Sequence, residues 1–256
     1  MVKLHKIEII TEGKAPEIHT YSDIHYGNKC HDVKSFELFL KTTEKDPDSY
    51  VLGLGDWIEG KTKDSVGYED QEVKIMPQIR HICKKFKKIA DEGRLIGLVR
   101  GNHEKAAKKT ADIDVMEWMA EKLDVPYFET GVFLKIHAKK NNRKSGKNYT
   151  LYGVHGASGA RTIGGKINAI HKLGEKFENV DVVCMGHVHY GYVGKGFRYK
   201  PIGDYIRTRQ PLYIITGHYL EYFGSYAEEK LLPPAGPCGT PKIKFHVDMR
   251  RVSGSL

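Results

Sequence analysis

Apolar and polar positions along the chain alternate with two different periods. Val33, Phe36, Leu40 and Thr43 recur at helical spacing within residues 31–45, and Asp46-Pro47-Asp48 stops that run. Ile75, Ile79, Ile82, Phe86 and Ile89 form a second stripe, predicting a helix over 72–92 that Gly93 closes as its C-cap. Lys84, Lys85, Lys87 and Lys88 fall mainly off that stripe. Ile113, Met116, Ala120 and Leu123 predict a third helix over 110–123, with Thr110 as its N-cap and Asp112 and Asp114 in its first turn. Ile163, Ile167, Ile170, Gly174 and Phe177 mark a fourth. Between the helices lie short apolar runs that read as strands: 3–10, 16–22, 50–54, 94–99, 132–138, 149–154, 181–185, and stretches near 211–215 and 241–249. The run Asp181–Met185 is apolar almost throughout, as in a strand buried on both faces.

The connections are equally informative. Gly13-Lys14-Ala15-Pro16 reads as a turn, 60–71 as a polar loop, 139–147 as a long basic connector, and 233–241 as a Pro- and Gly-rich link. Strands alternating with helices predict an α/β architecture with helices on both sheet faces. No internal repeat or composition break divides the chain, so one domain over residues 1–256 is expected.

Composition sharpens this picture in three ways. With 40% hydrophobic and 29% charged residues the chain is globular and can bury a large core. The net charge of +9 favours polyanionic partners. Cys30, Cys83, Cys184 and Cys238 contain no Cys-x-x-Cys pair, which argues against a zinc ribbon. The first residues lack the apolar stretch of a signal peptide, and no run of about 18 apolar residues occurs, so no membrane span and a reducing, cytoplasmic setting are expected.

Candidate chemistry sits where the apolar strands end. Asp23 and His25 follow the second strand; two residues apart in extended chain, they would point to one side. Asp56 follows the third. Gly101-Asn102-His103-Glu104 follows Leu98-Val99, with Asn102 and His103 expected on a loop. His155 follows Tyr149–Val154, and His187 and His189 follow Asp181–Met185. In sheets of this kind, functional residues gather outside the strand ends. Convergence would bring together two carboxylates, an Asn oxygen and several imidazoles, enough to hold two divalent cations with one carboxylate between them. Mixed nitrogen and oxygen ligands suit manganese, iron or zinc and poorly suit calcium. Trp57 and Tyr68 could stack on a substrate base, or simply pack against the domain.

This ordered set of Asp-x-His, Gly-Asp, Gly-Asn-His-Glu, a lone His and Gly-His-x-His resembles the calcineurin-like metallophosphoesterases over roughly residues 18–190. The compact C-terminal part is similar to that of bacteriophage-encoded members. The resemblance implies a sandwich of two mixed β-sheets flanked by helices, with the last two predicted strands in the second sheet. It implies that Asp23, His25, Asp56 and His189 bind one metal, and that Asp56, Asn102, His155 and His187 bind the other, with Asp56 as the bridge. Manganese is the expected metal, with iron, zinc or nickel as alternatives. His103 would protonate the leaving oxygen while water activated by the metals attacks phosphorus. Glu59 either orients His103 or lies on the surface.

One departure bears on substrate. The protein-phosphatase branch carries, just after the residue matching Glu59, an Arg that grips a phosphomonoester dianion. Here that position is Gly60. A phosphodiester substrate is therefore expected, and the basic stretches 84–88, 105–109 and 139–147 point to nucleic acid or a nucleotide. The alternative is a phosphomonoesterase acting on nucleotides or proteins. The sequence leaves the oligomeric state open.

Overall fold

The computed structural model describes residues 4–13, 15–65, 67–229, 231 and 239–256, without the side chains of residues 111 and 226. Lys14 of the predicted turn, Cys238, the first three residues and most of the 233–241 link lie outside these. In chain order the elements are β1 (His5–Thr11), β2 (Glu17–Tyr21), α1 (Val33–Lys45), β3 (Ser49–Gly53), α2 (Ile75–Asp91), β4 (Leu95–Val99) and α3 (Asn102–Ala111). There follow α4 (Val115–Leu123), β5 (Tyr127–Phe128), β6 (Val132–Lys140), β7 (Gly146–Val154), α5 (Ile163–Glu175), β8 (Val182–Met185) and β9 (Tyr192–Lys195). The remainder is β10 (Arg198–Ile202), β11 (Tyr205–Arg209), β12 (Leu212–Ile215), α6 (Tyr226–Glu229), β13 (Lys242–His246) and β14 (Arg251–Ser255).

Two six-stranded mixed sheets form the sandwich the resemblance implied. One runs β14-β13-β2-β3-β4-β5, the other β1-β6-β7-β8-β12-β9. β2, β3, β4 and β5 are parallel, so their C-terminal ends emerge side by side; β7, β8 and β12 do the same in the second sheet. Between the sheets lies an apolar layer including Ile18, Leu52, Leu134, Leu151, Cys184 and Ile214. Tyr21, Val51 and Leu98 face the other way, onto the stripes of α1, α2 and α4, among them Phe36, Ile82, Phe86 and Met116. Ile170 of α5 covers the outer face of the second sheet at Val183, Met185 and Ile215. Trp57 belongs to this packing: it is fully buried, stacks on Phe86 at 4.3 Å and donates its indole N–H to the Tyr21 carbonyl, so it offers no surface to a substrate.

Four expectations are corrected. The last two predicted strands do not share a sheet: β12 lies between β8 and β9 in one, and β13 between β14 and β2 in the other. The single helix over 110–123 is two. α3 already begins at Asn102, so Asn102 and His103 lie on a helical first turn rather than a loop. Thr110 is in the last turn of α3, its hydroxyl bonded to the Ala106 carbonyl, and Asp114 caps α4 by accepting the Glu117 N–H. Sequence periodicity missed α3 because it has no apolar stripe; Ala107 is its one buried apolar residue among those described. The 139–147 connector is shorter than expected: residues 139–140 and 146–147 belong to β6 and β7, leaving 141–145 as a tip. That tip lies at the start of β7, nine residues and about 30 Å from His155 at the other end. Arg143 in the tip and Lys140 at the end of β6 both pair with Asp248.

Candidate metal centre

All eight predicted site residues converge at the C-terminal ends of the two parallel strand groups. Asp23 and His25 follow β2, Asp56 follows β3, Asn102 and His103 open α3 after β4, His155 follows β7, and His187 and His189 follow β8. The pairs two residues apart do not converge by strand alternation. Asp23, His25, Asp56, His187 and His189 all have positive φ, between 47° and 73°, and account for five of the eight such non-glycine residues described. Each pair is folded inward by two left-handed residues flanking one ordinary one. Asp and His tolerate that region better than most side chains, yet backbone strain of this kind collects at functional sites.

The atoms fall into groups sharing members. Asp23, His25 and His189 bring one ligand atom each within 4.8 Å of one another, as do Asp56, His155 and His187. His25 Nε2 lies 3.9 Å from Asp56 Oδ2, joining the two groups, and His155 Nε2 lies 3.2 Å from the same oxygen. Asn102 Oδ1 sits 2.8 Å from His155 Nε2 and 2.7 Å from His187 Nδ1. A third triple, His25, Asp56 and His103, places His103 beside the join.

Hydrogen bonds behind the site fix which atoms face inward. His155 Nδ1 donates to the Leu54 carbonyl at 2.7 Å, and His25 Nδ1 donates to Glu59 Oε2 at 3.0 Å. Both histidines therefore turn an Nε2 lone pair toward the cluster. His25 Nε2 meets His189 Nε2 at 3.2 Å, and His155 Nε2 meets two oxygens. Asp23 Oδ2 accepts from Ser22 and from the His187 N–H, whereas its Oδ1 is buried with no hydrogen-bond partner, 3.1 Å from His189 Nε2. So many converging acceptors, one of them orphaned, fit a cation held among them. Without one, protons must substitute. Burial opposes charge on His155, but Asp56 outweighs it and lifts its pKa to about 10. Burial alone would also raise both carboxylates; His189 at Asp23, and His155, His103 and His25 at Asp56, hold them well below their usual range.

Two acidic residues brace the site. Glu59 is buried, which excludes the surface alternative, but its side chain orients His25 rather than His103. His103 is held by the Glu59 backbone carbonyl, 2.6 Å from Nδ1, with the carboxylate 3.9 Å away. Glu104, for which the sequence suggested no role, is fully buried and accepts the N–H groups of Asp56, Trp57 and Gly101 at 2.8–3.0 Å. Its position three residues after Gly101 was the available signal, since Glu at the third helical position commonly bonds back to the cap. His218, missed entirely, stacks on His189 with ring centroids 5.3 Å apart; it too follows an apolar strand end, that of β12.

The family model described as calcineurin-like phosphoesterase matches residues 18–222. Comparison with curated proteins finds no match. Among solved structures, a conserved uncharacterized protein from Streptococcus pneumoniae, described as a predicted phosphoesterase, is 13% identical, with 92% of this chain and 86% of that one covered and a TM-score of 0.34. A metallophosphoesterase from Sphaerobacter thermophilus is 13% identical over 93% and 87%, with a TM-score of 0.39. A phosphopantetheinyl hydrolase from Mycobacterium tuberculosis is 11% identical over 84% and 94%, at 0.38. Likenesses this loose carry no argument about substrate.

Proposed function

Because this chain belongs to the calcineurin-like phosphoesterase family, whose members are metal-dependent phosphoesterases, we propose that it hydrolyses phosphodiesters, in nucleic acid or nucleotides, at a centre for two divalent cations. Asp23, His25, Asp56 and His189 would hold one cation, and Asp56, Asn102, His155 and His187 the other. The mixed nitrogen and oxygen set suits manganese, with iron, zinc or nickel as alternatives. When bound, the cations supply the charge that grips phosphate oxygens and activates the attacking water.

The chain's own groups do the rest. Asp56, held by the His103 N–H at 2.9 Å, lies between the two groups, where its charge serves both. His103 donates its Nδ1–H to the Glu59 carbonyl and keeps Nε2 for the leaving oxygen. Burial disfavours its charged form, but the Asp56 and Glu59 carboxylates outweigh burial and raise its pKa. A raised pKa favours the protonated form that a general acid needs.

The observation that carries the diester reading is the missing guanidinium. Gly60 lies against the His103 carbonyl, and among the described residues no Arg bonds to any of the eight site residues. Arg100, the nearest in sequence, is turned onto Asp114 and Glu129. A diester, with one charge fewer than a monoester dianion, needs that group least. Of the three basic stretches, 105–109 borders the site: Lys105, Lys108 and Lys109 line a groove of about 430 Å³ beside Asn102. Rates on bis-p-nitrophenyl phosphate and p-nitrophenyl phosphate, with manganese, test the reading. The diester should be hydrolysed faster; a monoester rate far above the diester rate would replace this reading with a phosphomonoesterase.

A further inference from the structure

The β10–β11 hairpin pairs with neither large sheet. It projects from the β9–β12 pair, past the bond from the Gly196 N–H to the Pro211 carbonyl, and is tied back at its base by Arg209 to Asn179 and Asp181. In its register Arg198 is opposite Arg209, Lys200 opposite Arg207, and Ile202 opposite Tyr205. Directly opposed residues share a face, so one face carries four cations in like-charged pairs, an arrangement that destabilises a strand pair. Of these four, only Arg209 forms an ion pair among the described residues, with Asp181 at 2.8 Å. Arg198 Nη2 is buried without any hydrogen-bond partner.

Beneath the hairpin lies a cavity of about 590 Å³. Its lining includes Lys195, Lys200, Arg207, Arg209, Arg250 and Arg251 against one carboxylate, Asp181, which Arg209 and Arg250 already engage. The cavity opens at the start of β8 and β12, whereas the metal ligands follow the far end of β8, about 13 Å along the strand. Tyr205, at the tip of the cationic face, is 82% exposed, and Tyr199 on the opposite face is 70% exposed.

We propose that the hairpin and this cavity bind single-stranded nucleic acid at a site separate from the metal centre. Phosphates would lie on Lys200 and Arg207, which line the cavity, and an unstacked base on Tyr205. Stacking on an exposed ring needs a base face that a duplex keeps covered, which selects the single strand. The site deepens the nucleic-acid reading of the metal centre and rests on it for its biological role, though not for the binding itself.

Fluorescence anisotropy of a labelled oligothymidylate, with metal-loaded protein and a denaturing gel to check the probe, tests this. The double variant Lys200→Glu/Arg207→Glu should lose roughly tenfold or more in affinity, and its log–log salt slope should fall by about 1.4, from about 0.7 per phosphate contact. Tyr205→Ala should lose about tenfold with its slope unchanged. Both should hydrolyse bis-p-nitrophenyl phosphate as the wild type does. Variants that bind like the wild type, or a wild type that does not bind the oligonucleotide at low salt, overturn the proposal. So does a Tyr205→Ala protein with altered mass by light scattering, which would make the hairpin a protein–protein contact. Hairpin-dependent binding by an enzyme that hydrolyses only monoesters would instead overturn the diester reading and leave this site standing.

Discussion

Gly101→Ala tests how tightly the backbone is fitted around Asp56. Gly101 has φ −91° and ψ −178°, open to any residue, so alanine meets no conformational obstacle of its own. A Cβ there would stand 2.1 Å from Asp56 Oδ1, 2.3 Å from Asp56 N and 2.7 Å from Glu104 Oε2. None of these is a flexible end: one is backbone, and both carboxylates are held by backbone N–H groups. Restoring ordinary separations requires a shift of about 1 Å between β4 and the Asp56 turn. Overpacking a filled site costs about 1–3 kcal/mol, and compression against backbone puts this case at the upper end. At this chain length about 3 kcal/mol lowers Tm by roughly 6–12 °C. Because Asp56 faces both ligand groups, the shift should also weaken both cations together. Gly159→Ala, whose added Cβ meets nothing within 4 Å, should stay within about 0.5 kcal/mol of wild type. Differential scanning calorimetry and metal titration read both effects. A Gly101→Ala protein that melts with the wild type and binds metal equally well would refute the reasoning.

His103→Ala should keep its metals and lose about 10²–10⁴-fold in kcat, less for substrates whose leaving groups need no proton; loss of metal by elemental analysis would make His103 a ligand instead. Glu59→Gln should weaken binding of the cation held by His25 about 10–100-fold, read by titration calorimetry, because it removes the carboxylate that sets that ring's tautomer; unchanged affinity would reduce Glu59 to packing. Neutralising Lys140 and Arg143 should leave hydrolysis of a small diester unchanged, since the end of β6 and the tip after it are remote from the candidate ligands and both residues are already paired with Asp248; a fall in that rate would contradict their placement.

Much of the candidate site was legible because each candidate ligand follows a strand whose apolar run is plain, as with Val183-Cys184-Met185 before His187 and His189. The strand ends predicted the gathering of residues, though not its means: the reversal at Asp23 and His25 depends on left-handed backbone that residue types alone do not announce. α3 was hidden because it buries a single apolar residue, Ala107, and is held at its start by Glu104 bonded back to the Gly101 N–H rather than by an apolar face. The role of Glu59 was misassigned because a carbonyl, which every residue has, does for His103 what the carboxylate does for His25. The hairpin at 198–209 escaped notice because Tyr199, Tyr205 and Ile206 are exposed there, so its alternation marks no buried face.

The central claim is that two cations share Asp56. Anomalous diffraction at the manganese edge, from crystals grown after manganese loading, tests it most directly. The account predicts two peaks flanking the Asp56 carboxylate, one against Asp23, His25 and His189, the other against Asn102, His155 and His187. A single fully occupied peak, with nothing at the second position in excess manganese, would contradict it.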